Sequence, residues 1–373
     1  MRILLIGEYS NVHWTLAEGL RSIGHQVIVV SNGDFWKDYP RDISLVREET
    51  RLSGIKYLLR FLTIMPKLRG FDVVQVINPM FLELKAERIL PIYKYLRKHN
   101  KTMFLGGFGM DYYWVDTCTN KKPLRYSDFN IGNSVRTNKD AVIEQKDWIG
   151  TAKETLNKYI ANDCDGIITG LYEYYVCYHL AFPAKTSYIP FPIQTKKDAK
   201  KKISLETPRQ FRLFIGINKT RSEYKGTDIM LAAAKSIKEK YPDKVELKIA
   251  ENVPFSQYCE MMNDSDAILD QLYSYTPSMN PLEAMSKGII CIGGGEPENY
   301  DIINEKELRP IINVQPNYES VCHELERLVL NLDLIPQLKL QSIEYINRHH
   351  DHLKVAKMYE DIYESVLNIR DND

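Results

Sequence analysis

A short loop in the second half of the chain concentrates positive charge of the kind that binds phosphate. The sequence GINKTRSEYKG, residues 216–226, contains Lys219, Arg221 and Lys225 between two glycines. Lysine and arginine bind phosphate oxygens through charge-assisted hydrogen bonds, each worth about 1.5–3 kcal/mol net. Two such cations, together with a helix N-terminus, could anchor the diphosphate of a nucleotide.

A strong helix-start signal follows further along the chain. Asn280 suits the N-cap, Pro281 the first helical position and Glu283 the third, which is a capping-box pattern. Gly288 permits a left-handed C-cap, so the helix is expected to end near Lys287. Such a pattern needs no ligand, but a helix N-terminus also attracts anions. We interpret this helix as pointing at a diphosphate, with Glu283 accepting hydrogen bonds from a ribose.

The cationic loop and the helix start form one site only if a parallel sheet brings them together. Apolar runs predict strands that alternate with helices through both halves of the chain, at residues 2–6, 26–30, 72–77, 102–105, 211–215, 245–250, 267–270, 289–292 and 309–313. Such alternation is typical of parallel α/β sheets, whose ligand loops gather at the carboxyl edge. The glycines at 293–295 would let backbone close over a ligand there.

The first half places further candidate residues after predicted strands. Gly7 and His13 follow the first strand and Asn78 follows the third, and all three are predicted to lie near the substrate. A lone Gly is usually a tight turn and a lone His is usually structural, so both alternatives stay open. Residues 111–148 read as a long polar loop. It opens with Asp111 and then three aromatic residues (Tyr112, Tyr113 and Trp114), which either stack on a sugar or pin the loop to the core.

Composition excludes several classes of protein. Lys+Arg and Asp+Glu balance at 49 each, which argues against nucleic acid as a partner. The six cysteines show no Cys-x-x-Cys spacing, and Met1 leads directly into a strand without a signal peptide. We therefore expect a cytoplasmic protein. The basic, apolar helix predicted at residues 52–68 either packs on the sheet or contacts the inner face of a membrane peripherally.

Several short motifs together resemble the donor-domain signature of retaining glycosyltransferases of family four, the group 1 type. They are Lys225-Gly226-Thr227-Asp228, Asp270-Gln271-Leu272, and Pro281-Leu282-Glu283-Ala284-Met285 with Gly288. The shared pattern covers most of residues 211–300, and the order of strands and helices in 1–190 is more weakly similar.

This resemblance implies an α/β protein with two Rossmann-like domains and a cleft between them, the GT-B architecture. The expected boundaries are 1–195 for the acceptor domain, 196–350 for the nucleotide-sugar domain, and 351–373 for a last helix that crosses back. The implied activity is transfer of a hexose from a nucleotide diphosphate sugar, with retention, to a glycan or lipid-linked acceptor. The product would be a capsular or surface polysaccharide, and no metal or other cofactor is expected.

The resemblance also assigns roles to residues of this sequence. Lys225 and Arg221, or Lys219, would contact the diphosphate, where leaving-group charge develops. Glu283 would contact the ribose, and Met279, Asn280 and Tyr275 complete the predicted donor contacts. Asp111 would act on the acceptor side as a catalytic residue.

This chain departs from the family pattern at two positions. Tyr275 stands where the family has the first of two glutamates, the one that touches the donor sugar, and Phe108 stands where it often has a histidine. These departures keep two alternatives open. One is an epimerase or hydrolase of the same fold that acts on sugar nucleotides, and the other is a catalytically inactive sugar-binding relative.

Overall fold

The computed structural model describes residues 1–47, 53–196, 198–251 and 253–372. Within these ranges the strands are β1 (Arg2–Ile6), β2 (Gln26–Ser31), β3 (Ile43–Ser44), β4 (Val73–Val76), β5 (Thr102–Gly107), β6 (Asn130–Ile131), β7 (Ser134–Val135), β8 (Gly166–Thr169), β9 (Thr186–Tyr188), β10 (Phe211–Ile217), β11 (Val245–Glu251), β12 (Ala267–Leu269), β13 (Ile290–Gly293) and β14 (Ile312–Asn313).

The α-helices are α1 (Val12–Ser22), α2 (Ser53–Ile64), α3 (Ala86–His99), α4 (Tyr112–Asp116), α5 (Lys139–Trp148), α6 (Ala152–Asp163), α7 (Tyr172–His179), α8 (Ser222–Lys225), α9 (Thr227–Lys240), α10 (Phe255–Asn263), α11 (Met279–Ser286), α12 (Pro297–Ile302), α13 (Tyr318–Leu330), α14 (Ile335–His349) and α15 (His352–Asn372). Short 3-10 turns lie at Phe35–Lys37, Met65–Lys67, Lys200–Lys202, Lys219–Arg221 and Leu332–Leu334, and a π-helical turn at Thr117–Lys121. The helix predicted at 52–68 is thus α2 and the following turn, and residue 52 lies outside the described residues. No described helix combines the length and the apolar character that crossing a bilayer requires.

The chain divides into two compact units. The first unit comprises Met1–Pro123, Glu144–Pro192 and His352–Asp373, and the second comprises Leu124–Ile143 and Ile193–Asp351. The segment Leu124–Ile143 therefore belongs to the second unit, although the chain on both sides of it belongs to the first. The sequence-based boundaries at 195 and 350 do not include this excursion.

The first unit is built on a seven-stranded parallel sheet in the order β3-β2-β1-β4-β5-β8-β9. Its central strands β1 and β4 are mostly apolar, with Gln75 of β4 as a buried polar exception, because helices cover both faces, as is typical of parallel sheets. The last helix, α15, packs against α1 at Gly19, where a Cβ atom would lie 2.4 Å from the His352 carbonyl oxygen. The Tyr363 hydroxyl of α15 also donates a hydrogen bond to the Gln75 side chain of β4 at 2.7 Å.

The second unit is built on a five-stranded parallel sheet in the order β11-β10-β12-β13-β14. Side chains of β10 alternate between its two faces. Leu213 and Ile215 pack with Met230 and Leu325, on α9 and α13, whereas Phe214 packs on the opposite face with α10 and α11. Both units are therefore Rossmann-like α/β layers, as the sequence predicted.

The prediction of one long polar loop at residues 111–148 is wrong. The structure places there α4, the π-helical turn, the β6–β7 hairpin and α5. Local side-chain bonds create these elements: the Asp111 carboxylate caps α4 by accepting from the Trp114 N–H at 2.9 Å. The Asn130 side chain closes the hairpin by donating to the carbonyls of Leu124 at 2.9 Å and Gly132 at 3.0 Å. Polar residues spaced in this way suggest a loop by composition alone.

Candidate functional site

Three loops of the second unit lie at one edge of its sheet. They are residues 218–226 after β10, 270–278 after β12 and 294–296 after β13. Because β10, β12 and β13 are adjacent and parallel, these loops all emerge at the carboxyl edge, where open α/β sheets bind their ligands. The cationic loop and the start of α11 therefore share an edge.

The cationic loop has a fixed backbone. Gly226 has φ +74°, and a Cβ atom there would come within 2.9 Å of Leu272, so the glycine allows a close approach between the two loops. The Leu272 N–H donates to the Lys225 carbonyl at 3.0 Å and fastens the loop after β10 to the loop after β12. The Arg221 guanidinium lies 4.9 Å from the centre of the Tyr224 ring, and Lys219 pairs with Glu251 of β11.

Asp270 lies next to this loop, directly after β12. Its Oδ2 atom is buried and has no hydrogen-bond partner among the described residues. Burial raises the pKa of Asp270 to about 6, and the positive charge of Lys225 opposes that rise. In the sequence Asp270 is only part of a motif, and its position there does not indicate whether its carboxylate has a hydrogen-bond partner.

The capping box predicted at Asn280 and Glu283 is wrong. The helix α11 begins at Met279, so its N-cap is Ser278, which makes no capping hydrogen bond through its side chain. The Asn280 side chain instead donates to the hydroxyl of Tyr258 on α10 at 2.9 Å. The Asn280 side chain, which the local pattern assigned to the N-cap, is therefore bonded to a distant residue instead. The predicted left-handed glycine after the helix is confirmed, since Gly288 has φ +78°.

Glu283 lies in the second turn of α11 rather than the first. Its carboxylate is exposed and forms a 3.1 Å ion pair with Lys287, one turn further along the helix. An exposed pair of this kind contributes little to stability. Glu283 is thus available to a ligand, and its contact with a ribose stays a prediction.

Tyr275, which replaces the first family glutamate, is buried within the second unit. Its hydroxyl accepts a hydrogen bond from the Arg125 N–H at 2.7 Å, and the Arg125 guanidinium lies 4.9 Å from its ring centre. The Tyr126 ring packs on it at a centroid distance of 4.9 Å. Residues of the excursion Leu124–Ile143 therefore surround the position where the family carries a carboxylate.

A buried carboxylate that the sequence analysis missed lies beside Tyr275. Glu296 accepts hydrogen bonds from Tyr126 at 2.5 Å and Gln315 at 2.7 Å, and forms an ion pair with Arg125 at 2.7 Å. Burial favours a higher pKa, but these donors and the charge of Arg125 together hold the pKa of Glu296 below its usual value. Nothing local in the sequence could pair Glu296 with residues 170 positions away.

In the first unit, Gly7 and His13, which were predicted to lie near the substrate, make close contacts with other parts of the protein. Gly7 has φ +89°, and a Cβ atom there would lie 2.2 Å from the Ile77 side chain. His13 is fully buried, with Nδ1 2.8 Å from the Gly7 carbonyl and Nε2 3.1 Å from the Gln75 amide nitrogen. Burial lowers the pKa of His13 to about 3, so the ring is neutral and holds the loop, and neither nitrogen is left for a substrate.

Glu8, which the sequence analysis did not consider, is buried at the start of α1. Its two carboxylate oxygens accept from the backbone N–H groups of His13 at 3.2 Å and Trp14 at 2.9 Å. Burial raises the pKa of Glu8 to about 8 in spite of these bonds. The N-cap position of α1 is Asn11, whose side chain makes no capping bond, so no local pattern in the sequence identifies Glu8 as the acceptor.

Asp111 and Asn78 are also committed to protein partners. Besides capping α4, Asp111 accepts from the Tyr178 hydroxyl at 2.8 Å, and burial raises the pKa of Asp111 to about 7. The Asn78 side chain donates to the Met110 carbonyl at 3.1 Å and accepts from the Met80 N–H at 2.9 Å. The structure thus gives Asp111 a capping role, and its contact with an acceptor stays a prediction. The three aromatic residues after it (Tyr112, Tyr113 and Trp114) are buried and pin this segment to the core.

No protein-family model matches the sequence, and no curated protein matches it significantly. Solved structures do match it. Sucrose-phosphate synthase from Thermosynechococcus elongatus is 13% identical, with 99% of this chain and 100% of that chain covered at a TM-score of 0.62. HepE from Anabaena in complex with UDP-glucose is 11% identical, with 98% and 100% covered at 0.58. A glycosyltransferase from Rickettsia africae ESF-5 is 13% identical, with 98% of each chain covered at 0.55.

These comparisons cover almost the whole chain, so the likeness extends over both units. At such low identity they show the fold. The chain has the GT-B fold, which is the fold that the resemblance in sequence motifs implies.

Proposed function

We propose that this chain is a glycosyltransferase that moves a hexose from a nucleotide diphosphate sugar to a glycan or lipid-linked acceptor with retention of configuration. The observation that carries this proposal is the shared edge of the second sheet, where the loop with Lys219, Arg221 and Lys225 meets the start of α11. The GT-B likeness and the UDP-glucose in the HepE structure support a nucleotide-sugar donor. Synthesis of a capsular or surface polysaccharide is the process that we propose for it.

The proposed mechanism assigns the cations of this edge to the leaving diphosphate. As the bond between sugar and phosphate breaks, negative charge builds on the diphosphate oxygens, and preorganised cations stabilise that charge. Lys225 and Arg221 belong to a loop that is bonded to the loop after β12 and packed on Tyr224, so we expect them to need little reorganisation in the transition state. Met279 and Asn280 present the first turn of α11 to the same anion, and Glu283 accepts from the ribose. We propose that these groups replace a metal, so turnover should survive treatment with EDTA.

Donor binding and turnover test this proposal directly. A thermal-shift screen over nucleotide sugars identifies the donor, since a ligand at 100 times its Kd raises stability by about 2.7 kcal/mol. With that donor, Lys225→Ala should lower kcat/KM by about 30-fold or more, because one charge-assisted contact is lost. Lys235→Ala, on the exposed face of α9, is the matched control and should leave turnover unchanged. Equal turnover in all three proteins would refute the assignment of the cationic loop.

A catalytically inactive sugar-binding relative is a second candidate, because of Tyr275. Its hydroxyl and ring are engaged by Arg125 and Tyr126, so no carboxylate stands at the position that contacts donor sugar in the family. Calorimetry that detects donor binding, together with no nucleotide release with or without acceptors, would favour this candidate. Nucleotide release without any acceptor would favour the hydrolase or epimerase alternative.

A cavity of about 630 Å³ in the first unit is the place that we propose for the acceptor. Its wall includes Lys85 and Arg88 at the start of α3, Lys153 of α6, and the apolar side chains of Met80 and Leu84. Arg88→Ala should raise KM for an anionic acceptor several-fold without changing donor Kd. A change in donor Kd alone would contradict this placement.

Peripheral contact with an anionic membrane is the last part of the proposal. The helix α2 exposes Ile55, Leu59 and Leu62 by 56%, 58% and 47%, and the exposed cations Lys56 and Arg60 flank them. Apolar and basic side chains on one surface helix are typical of binding to membrane interfaces. Sedimentation with vesicles that contain an anionic lipid should recover the protein, and Leu59→Glu should abolish recovery. Equal recovery with neutral vesicles would contradict the electrostatic part.

A further inference from the structure

The excursion Leu124–Ile143 contains a buried arginine that contacts the cationic loop. Arg136 is 8% exposed, and its N–H groups donate to four backbone carbonyls. Two of these are in its own hairpin, on Ser127 and Asp128, each at 3.3 Å. The other two belong to α8, on Tyr224 at 3.0 Å and Glu223 at 2.8 Å.

The same guanidinium is also stacked on an aromatic ring. It lies 3.5 Å from the ring centre of Tyr273, which belongs to the loop after β12. The planar fork of arginine suits this arrangement, because its face stacks while its edge donates several hydrogen bonds. Arg136 thus joins the hairpin, the loop after β10 and the loop after β12 within the second unit.

The two carbonyls on α8 lie immediately before Lys225. The last carbonyls of a helix lack intrahelical partners and carry partial negative charge, so a buried cation satisfies them. On the other side, the Leu272 N–H holds the Lys225 carbonyl at 3.0 Å, and Gly226 packs against Leu272 and Tyr273. The backbone of residues 223–226 is therefore held from both sides, once by Arg136 and once by the loop after β12.

We propose that Arg136 is a positioning residue that fixes the backbone of the cationic loop so that Arg221 and Lys225 are presented together to the donor diphosphate. This inference rests on the proposed function. Arg136 itself donates to carbonyls and is buried, so it acts through the loop and not by contact with the phosphates. Loss of Arg136 frees the loop, and the two cations must then be ordered by the ligand, which weakens donor binding.

Donor and acceptor kinetics of variants test this role. Arg136→Ala should raise the donor KM by about tenfold or more, with acceptor KM changed less than about twofold. Arg136→Lys keeps the charge but cannot stack and bridge as a planar group, so it should show a smaller rise of about three- to tenfold. Lys139→Ala, an exposed cation of the same segment, is the control and should match the wild type. Added guanidinium ion should restore part of the donor KM of Arg136→Ala only.

Hydrogen exchange gives a readout that needs no ligand. Amides of residues 219–226 should exchange about tenfold faster or more in Arg136→Lys than in wild type, while amides of α9 stay unchanged. If Arg136→Ala does not fold, Arg136→Lys carries the test. Unchanged exchange and donor KM in Arg136→Lys would overturn the positioning role. If the wild type binds no nucleotide but Arg136→Lys still speeds exchange in residues 219–226, the proposed function fails. The structural role of Arg136 in holding the cationic loop would then stand.

Discussion

The carboxyl edges of the two sheets differ in how far their polar side chains reach solvent. In the first unit, Glu8, His13 and Asp111 are buried and bonded to backbone or to other side chains. In the second unit, Lys219 and Glu283 reach solvent. Polar residues at a ligand edge are therefore not equivalent: those of the first unit hold loops in place, whereas the second unit combines such a residue, Glu296, with charges that remain exposed. Substitutions at both edges test this difference.

Asp111→Ala should give the largest effect on stability. It removes the cap of α4 and leaves the Tyr178 hydroxyl without its acceptor, so we expect a loss of about 3 kcal/mol. Denaturant unfolding measures this loss, and donor Kd of the folded variant should stay the same. Asp111→Asn keeps an oxygen for the Trp114 N–H and should lose less. If the variant is as stable as the wild type but uses the acceptor poorly, that result would support the predicted catalytic role of Asp111.

Glu296→Ala tests whether the second edge also contains a structural carboxylate. Removal leaves Arg125 and Tyr126 without a buried partner, and we expect a loss of about 2 kcal/mol. Glu298→Ala is the matched control, since its ion pair with Arg125 at 2.5 Å is more exposed and should contribute less than about 1 kcal/mol. If chemical denaturation gives equal losses of unfolding free energy for the two variants, burial does not make Glu296 contribute more to stability than Glu298.

Glu8 should make stability depend on pH. Its pKa is raised from 4.5 to about 8 in the folded state, so the folded protein binds the proton more tightly than the unfolded chain. The stabilisation by protonated Glu8 is complete below about pH 4.5 and is lost as pH rises towards about 8. Glu8→Gln should remove this fall in the free energy of unfolding, measured by denaturant unfolding at a series of pH values. The difference between the variant and the wild type separates the contribution of Glu8 from that of Asp111. Parallel curves for both proteins would contradict the assignment.

Glu283→Ala should have the smallest effect on folding and a specific effect on binding. Its exposed pair with Lys287 contributes less than about 0.5 kcal/mol, whereas a lost ribose contact should weaken donor binding about three- to tenfold. Lys287→Ala breaks the same pair without removing the carboxylate, so its donor Kd should stay near wild type. If both variants bind the donor equally well in calorimetry, Glu283 does not contact the ribose.

Much of the fold follows from local patterns in the sequence. The run RILLI forms β1, since short apolar runs between turn residues become strands of a parallel sheet. VELKIA, in which apolar and charged residues are mixed, lies within β11. Other predictions were wrong where the same local pattern is compatible with two different structures. Asn280 could cap its own helix or reach another, and the Tyr258 hydroxyl on α10 decided the outcome. The segment after Asp111 was polar enough to suggest a loop, yet its side chains closed short elements.

Apolar periodicity alone was sufficient to predict the alternation of strands and helices, and therefore the sheet edge at which the cationic loop and the start of α11 emerge. Which polar groups at that edge find protein partners depends on long-range packing. Arg125 meets Glu296, and Arg136 meets the carbonyl of Tyr224, across 171 and 88 residues of chain. Periodicity arises from neighbours along the backbone, whereas the partner of a buried charge depends on which distant segments pack beside it.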